Sequence, residues 1–113
     1  MSGRLSHLFM LTTELDASRR LFVELLGLEL LRDEGDYLRV GGGGGFHLGI
    51  EEGLASPNSG LEIVIAVDDI DQAYLALERG GIAVEAPPEE QPWGGRHVWF
   101  RDHDGRRLSV AGT

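Results

Sequence analysis

Three kinds of side chain in this sequence could do chemistry: four histidines, a cluster of tryptophans near the end, and a large excess of carboxylates. Cysteine is absent, so thiol catalysis and thiolate zinc sites are excluded within the chain, and any metal must be held by His, Asp, Glu or water. Trp93, His97 and Trp99 form the densest constellation. On a strand, His97, Trp99 and Arg101 share one face and Val98 and Phe100 the other, so the former group is free to meet a ligand while the latter packs inward. Aromatic rings give flat apolar area for planar molecules or cations. The run Gly41 to Gly45 has the look of a phosphate cradle, but no Lys-Ser/Thr pair and no helix start follow it, so it reads as a hairpin loop.

The elements that must position these residues follow from hydrophobic spacing. Leu5 to Thr13 alternates as a strand, with Leu8, Met10 and Thr12 on one face and His7, Phe9 and Leu11 on the other. A helix starts at Thr13 or Glu14, carries Leu15, Leu21, Phe22, Leu25 and Leu26, and stops at Gly27. Strands are expected over 28–32, 36–40 and 46–50. A connector rich in turn formers, Gly53 to Gly60, divides the chain.

The second half repeats this order: a strand over 61–67, a helix capped by Asp69 and ended by Gly80-Gly81, then strands over 82–86, 96–101 and 107–111. His7 answers Glu62 and Leu15 answers Ile70 at one offset, while Gly27-Leu28 answers Gly81-Ile82 one residue short of it. The pattern is a divergent internal duplication. The fold class expected is α+β, with two strand-helix-three-strand modules (about 1–53 and 60–113) in a single domain over 1–113.

A net charge of −9 opposes a phosphate backbone or an anionic membrane, so neither nucleic acid nor membrane is expected as a partner. No segment approaches the ~20 apolar residues of a membrane span and no leader opens the sequence, which leads us to expect a cytoplasmic protein.

Several stretches carry a family likeness. His7 followed by Glu14-Leu15-Asp16-Ala17-Ser18, Leu21-Phe22 and Leu26-Gly27-Leu28 is one. Val67-Asp68-Asp69-Ile70-Asp71-Gln72-Ala73-Tyr74 is a second. The most specific pair is Gln91-Pro92-Trp93-Gly94-Gly95-Arg96 with Phe100-Arg101-Asp102-His103-Asp104-Gly105. Together they resemble the vicinal oxygen chelate superfamily of glyoxalases, bleomycin-resistance proteins and extradiol dioxygenases.

The resemblance implies that two βαβββ modules form an open, cup-shaped mixed sheet with helices outside and a small-molecule cavity within, and that the chain forms a homodimer. Leu61, Ile63 and Ile65 would face the helix. Carried over position by position, the superfamily's metal ligands fall on His7, His47, Glu62 and Ser109. His7, His47 and Glu62 could hold a divalent metal (Fe, Mn, Ni or Zn). Ser109 replaces the usual Glu, which removes both a ligand and the general base of glyoxalase or epimerase chemistry and leaves Ser109 to substrate.

Two functions are therefore expected as alternatives. One is a divalent-metal enzyme of the lyase or dioxygenase kind acting on vicinal oxygens. The other is a metal-free, bleomycin-resistance-like protein that sequesters a cationic aromatic drug at an acidic dimer groove, suggested by the acidic balance and the Trp93-Gly94 segment; Trp93, His97 and Trp99 are the candidates for ligand contact. In the second reading Glu62 is an unpaired acid that attracts the cation. His103 falls in a turn and is given no role.

Overall fold

In a computed structural model, residues 5–41, 43–55 and 60–112 are described. Gly42 of the glycine run and Pro57, Asn58 and Ser59 of the connector lie outside them. The chain divides into two compact units, residues 1–56 and 57–113, and the division falls inside the stretch whose composition marked it as a connector.

In the first unit the strands are β1 (His7–Thr12), β2 (Glu29–Asp33), β3 (Tyr37–Gly41) and β4 (His47–Glu52). They form an open sheet in the order β1-β4-β3-β2. β1 runs parallel to β4, with His7 opposite His47, and the other neighbours are antiparallel. The face carrying Met10, Thr12, Leu38, Val40, Leu48 and Ile50 is buried, as alternation requires of a sheet covered on one side.

That face is covered by a helix of mixed kind. α1 (Leu15–Arg19) is α-helical and passes directly into a π-helical segment, Arg20–Leu25. Leu15, Ser18, Leu21 and Phe22 are buried, and the π segment closes with Leu26 N–H donating to the Leu21 carbonyl at 3.0 Å. The sequence pattern suggested an ordinary α-helix throughout. A π turn holds one residue more than its α counterpart for the same direction of travel, and periodicity does not register it.

The second unit repeats the order with β5 (Ile63–Ala66), α2 (Ile70–Arg79), β6 (Ala83–Val84), β7 (Glu89–Glu90), β8 (Arg96–Arg101) and β9 (Arg107–Gly112). The sheet order is β5-β9-β8-β6, with β7 also on β8, and β5 is parallel to β9. Ile65, Ile70, Ala73, Leu77, Val98, Phe100, Leu108 and Val110 make its core. Asp69 caps α2 by accepting from Gln72 N–H at 3.0 Å, which satisfies one of the free donors of the first turn.

The two helices are entered and left alike. Their N-cap residues, Glu14 and Asp69, have φ −139° and −131° with ψ 98° and 99°, and the glycines that follow them, Gly27 and Gly81, have φ +74° and +77°. That left-handed conformation is the one glycine enters without penalty.

Three expectations need correction, and one strand was missed. Gly41 is not loop but the buried end of β3, paired with Glu29 and His47. A Cβ there would meet Leu31 Cδ1 at 2.7 Å, so glycine serves close approach. Leu61 precedes β5 and is 72 % exposed, so it does not face the helix. The strand expected over 82–86 is only two residues long, Ala83–Val84, although Glu85 N–H still donates to the Trp99 carbonyl of β8 at 2.9 Å. β7 escaped notice because two consecutive glutamates carry no apolar alternation.

Candidate functional site

The first unit brings two of the expected ligand residues together. His7 and His47 begin β1 and β4, and being opposite each other in a parallel pair they stack ring on ring. Their centroids are 4.8 Å apart and the planes lie within 4° of parallel. Ser6 Oγ sits 2.9 Å from His7 Nδ1. Along the same face toward the sheet interior, a Cβ on Gly49 would fall 2.8 Å from the Tyr37 hydroxyl, so Tyr37 lies down across the strand. Arg39 Nε donates to that hydroxyl at 3.2 Å. A separate cleft of about 210 Å³ is lined by Glu14, Leu15, Asp16, Ala17 and Glu52. It contains none of the candidate residues.

The second unit holds the rest of the candidates. Trp99 is the centre: its ring stacks on His97 (5.1 Å, 23°), Trp93 stands edge-on to both (5.5 Å from His97, 6.4 Å from Trp99), and the Arg107 guanidinium lies over it at 5.0 Å. Glu62 is fully engaged. One oxygen accepts from Trp99 Nε1–H at 2.9 Å, and the other accepts from the Ser109 hydroxyl at 3.1 Å. Arg107 Nη1 is 3.6 Å from the first of these oxygens. Glu62 is therefore not the unpaired acid of the sequence-based expectation. Ser109 is wholly buried and Trp93 is 65 % exposed.

Strand register explains these neighbours. β8 and β9 form a hairpin with Trp99 opposite Ser109 and Arg101 opposite Arg107. β5 and β9 pair Ile63 with Leu108 and Val64 with Ser109. One step back along that register Glu62 comes opposite Arg107, as His7 does opposite His47. Ser109 thus shares a face with Arg107 but lies two residues farther along β9.

Arg107 and Glu85 were not picked out from the sequence. Arg107 Nε and Nη2 donate to the two Glu85 oxygens at 2.6 and 2.9 Å, a bidentate fork that fixes the guanidinium plane. Glu85's hydrogen bonds, and then the charges of Glu85 and Glu62, raise the Arg107 guanidinium above its ordinary value. The same hydrogen bonds, followed by the charges of Arg107 and Arg101, lower Glu85. The signal was present in the sequence. The Asp104-Gly105 turn sets the hairpin register, and that register places Arg107 diagonally beside Trp99.

His97 carries one further peculiarity. Its Nδ1 is buried and has no hydrogen-bond partner among the described residues, a state that ordinarily costs about 1–3 kcal/mol. His103 sits in the turn as expected, with Nε2 3.2 Å from Asp104 Oδ2.

Metal ligation asks for lone pairs that converge on one point at about 2.0–2.2 Å. The lone pairs of two parallel stacked imidazoles run side by side, and both Glu62 oxygens already accept hydrogen bonds. Among the described residues no three His, Asp or Glu side chains are grouped to hold an ion. Within each unit, as arranged, the stacked histidines and the hydrogen-bonded Glu62 do not present a divalent-metal site.

Residues 4–110 match the family described as the glyoxalase/bleomycin resistance protein/dioxygenase superfamily. The chain belongs to that superfamily. No curated protein matches it, but many solved structures share its fold. TnmS3, an antibiotic binding protein from Streptomyces sp. CB03234, is similar with TM-score 0.78 and 24 % identity over 98 % of this chain and 96 % of that one. A glyoxalase/bleomycin resistance protein from the same organism gives 0.72 and 27 % over 94 % and 98 %. A glyoxalase-related enzyme from Fulvimarina pelagi gives 0.81 and 17 % over 99 % and 89 %. Both binding proteins and enzymes are thus built on this fold, and fold alone does not choose between them. Among the described residues no helix is long and apolar enough to cross a membrane.

Proposed function

We propose that this superfamily member binds a planar aromatic small molecule without a metal, on the platform made by Trp93, His97 and Trp99. The observation that carries the reading is the aromatic trio itself. Two rings stack, a third, exposed ring stands edge-on to both, and the Glu62 carboxylate, hydrogen-bonded to both Trp99 and Ser109, anchors Trp99. Flat apolar area offered on a rigid base is what stacking recognition uses. The antibiotic-binding character of TnmS3 supports the same choice.

Titration with a panel of planar aromatics tests it, read as tryptophan emission, since both tryptophans of the chain belong to the platform. Saturable quenching at one ligand per chain is expected, and Trp93→Ala should weaken it about tenfold, the loss of one stacking partner. Absence of saturable quenching across the panel would remove the reading.

A second reading, a divalent-metal enzyme acting on vicinal oxygens, draws on one observation: His7 and His47 stand opposite each other at the start of a parallel strand pair. It requires one ring to rotate and Glu62 to leave its present partners. Reconstitution with Fe(II), Mn, Ni and Zn followed by elemental analysis tests it. One metal per chain, lost in both His7→Ala and Glu62→Ala, would establish it over the first.

A further inference from the structure

We infer that Arg107 sets the charge specificity of the aromatic platform, so that it takes an uncharged planar aromatic in preference to a cationic one. This deepens the aromatic-binding reading and rests on it.

A cationic aromatic needs two things from a site: a π face that its charge can approach and a carboxylate free to balance it. The first is already used internally, and so is the carboxylate bonded to Trp99. The guanidinium over Trp99 occupies the cation seat at 5.0 Å, and it is held there by the bidentate grip of Glu85. That carboxylate, Glu62, has one oxygen on the Trp99 indole and the other on Ser109, with Arg107 beside it.

Charge around the platform is mixed. Arg101 and Arg107, opposite each other across the hairpin, offset Glu62 and Glu85, while Glu89 stands opposite His97 on β7. The seat over the Trp99 ring is nevertheless positive, and a cation stacking there would meet a fixed cation.

An uncharged ring has no such cost, and it can use something a simple cation cannot. His97 Nδ1 is buried beside the stacked rings without a partner among the described residues, so turning the ring outward toward a ligand that carries a carbonyl or N–H on its edge would supply the missing hydrogen bond. The class of ligand indicated is a neutral, fused-ring aromatic bearing such a group.

A matched pair of probes separates the outcomes: acridone, which is neutral and carries both C=O and N–H, and N-methylacridinium, which has the same ring system with a permanent positive charge. Equilibrium dialysis against the full chain should show acridone bound about tenfold more tightly, the size of one cation–π contact denied to the cation. In Arg107→Met, checked for folding by thermal melting, the preference should shrink to about even because the cationic probe gains affinity. His97→Phe, which keeps the stack and removes the nitrogen, should cost acridone several-fold and leave the cation unchanged.

Equal or tighter binding of the cation by the unaltered chain would overturn the inference while the aromatic-binding reading stands, and that arm needs no variant to fold. A preference for acridone that persists undiminished in folded Arg107→Met would also overturn it. If neither probe nor any other planar aromatic binds, the aromatic-binding reading itself fails.

Discussion

The two units share a plan and differ in what they place at matching points. Where β1 and β4 begin, the first unit sets imidazole against imidazole. At the matching point of β5 and β9 the second sets a carboxylate beside a guanidinium. The first pair is a stack of two titratable rings held by little else. The second is tied into a network of Trp99, Ser109 and Glu85. The hairpins diverge in the same sense. β3 and β4 are joined through a glycine run, whereas β8 and β9 are joined by a turn in which Asp102 accepts from Asp104 N–H, Arg106 N–H and the Arg106 guanidinium. The two units are alike in their cores and differ at their strand starts and hairpins.

If the cores are equivalent, they should fail equally. Phe22 and Phe100 are each wholly buried, one per unit. Phe22→Ala and Phe100→Ala should each cost about 3–5 kcal/mol in chemical denaturation, and a cost below 1 kcal/mol for one alone would break the equivalence. The hairpins should then separate the units. Asp102→Ala strands the buried Arg106 charge (side chains 1 % and 5 % exposed) and should cost about 3–5 kcal/mol. Gly44→Ala, at φ +69° with open space around it, should cost only about 1–2 kcal/mol.

A smaller effect is expected from Glu62→Ala, which leaves the Trp99 indole N–H and the Ser109 hydroxyl without their acceptor. About 1–3 kcal/mol should be lost, with a shift in tryptophan emission that reports the freed ring. Unchanged emission would mean that Glu62 does not hold Trp99.

The smallest effect is the pH dependence. Glu85 is lowered in the folded chain by its hydrogen bonds to Arg107. A lowered carboxylate binds fewer protons folded than unfolded, so its contribution is present above the ordinary glutamate range near 4.5 and is lost as pH falls through the folded value. Asp71, lowered by Arg96, behaves alike in the second unit, and Asp33, lowered by Gly35 N–H and Arg19, does so in the first. Acid melting curves of Glu85→Gln should be flatter below about pH 4.5 than those of the unaltered chain. An identical acid limb would show that the pair is solvent-screened to insignificance.

Much of this architecture was legible because it rests on short-range rules. Asp69 as a cap, Gly27 and Gly81 as stops, and the facing of Val98 and Phe100 all follow from spacing and backbone preference. The site was legible only in part. Strand phase put His97, Trp99 and Arg101 on one face, and the family likeness singled out Glu62 and Ser109. What phase does not give is reach. Glu62 is close to Trp99 and Arg107 because three strands are paired in one register, and Glu85 joins them from 22 residues upstream of Arg107. Long side chains crossing between strands leave no periodic trace.

The π-helical segment of the first unit bears on how the two halves are compared. Five α-helical and six π-helical residues stand where α2 has ten. Leu15, Ser18 and Phe22 correspond to Ile70, Ala73 and Leu77 at one constant spacing, all of them buried, and the correspondence slips by one only at Gly27 and Gly81. The one-residue offset between the two halves therefore lies between Phe22 and Gly27, where the π segment is, and not in the connector. The first unit accommodates its extra residue there by widening a single turn. An alignment that moves the offset into the connector would pair the wrong residues at the very point where the two halves differ.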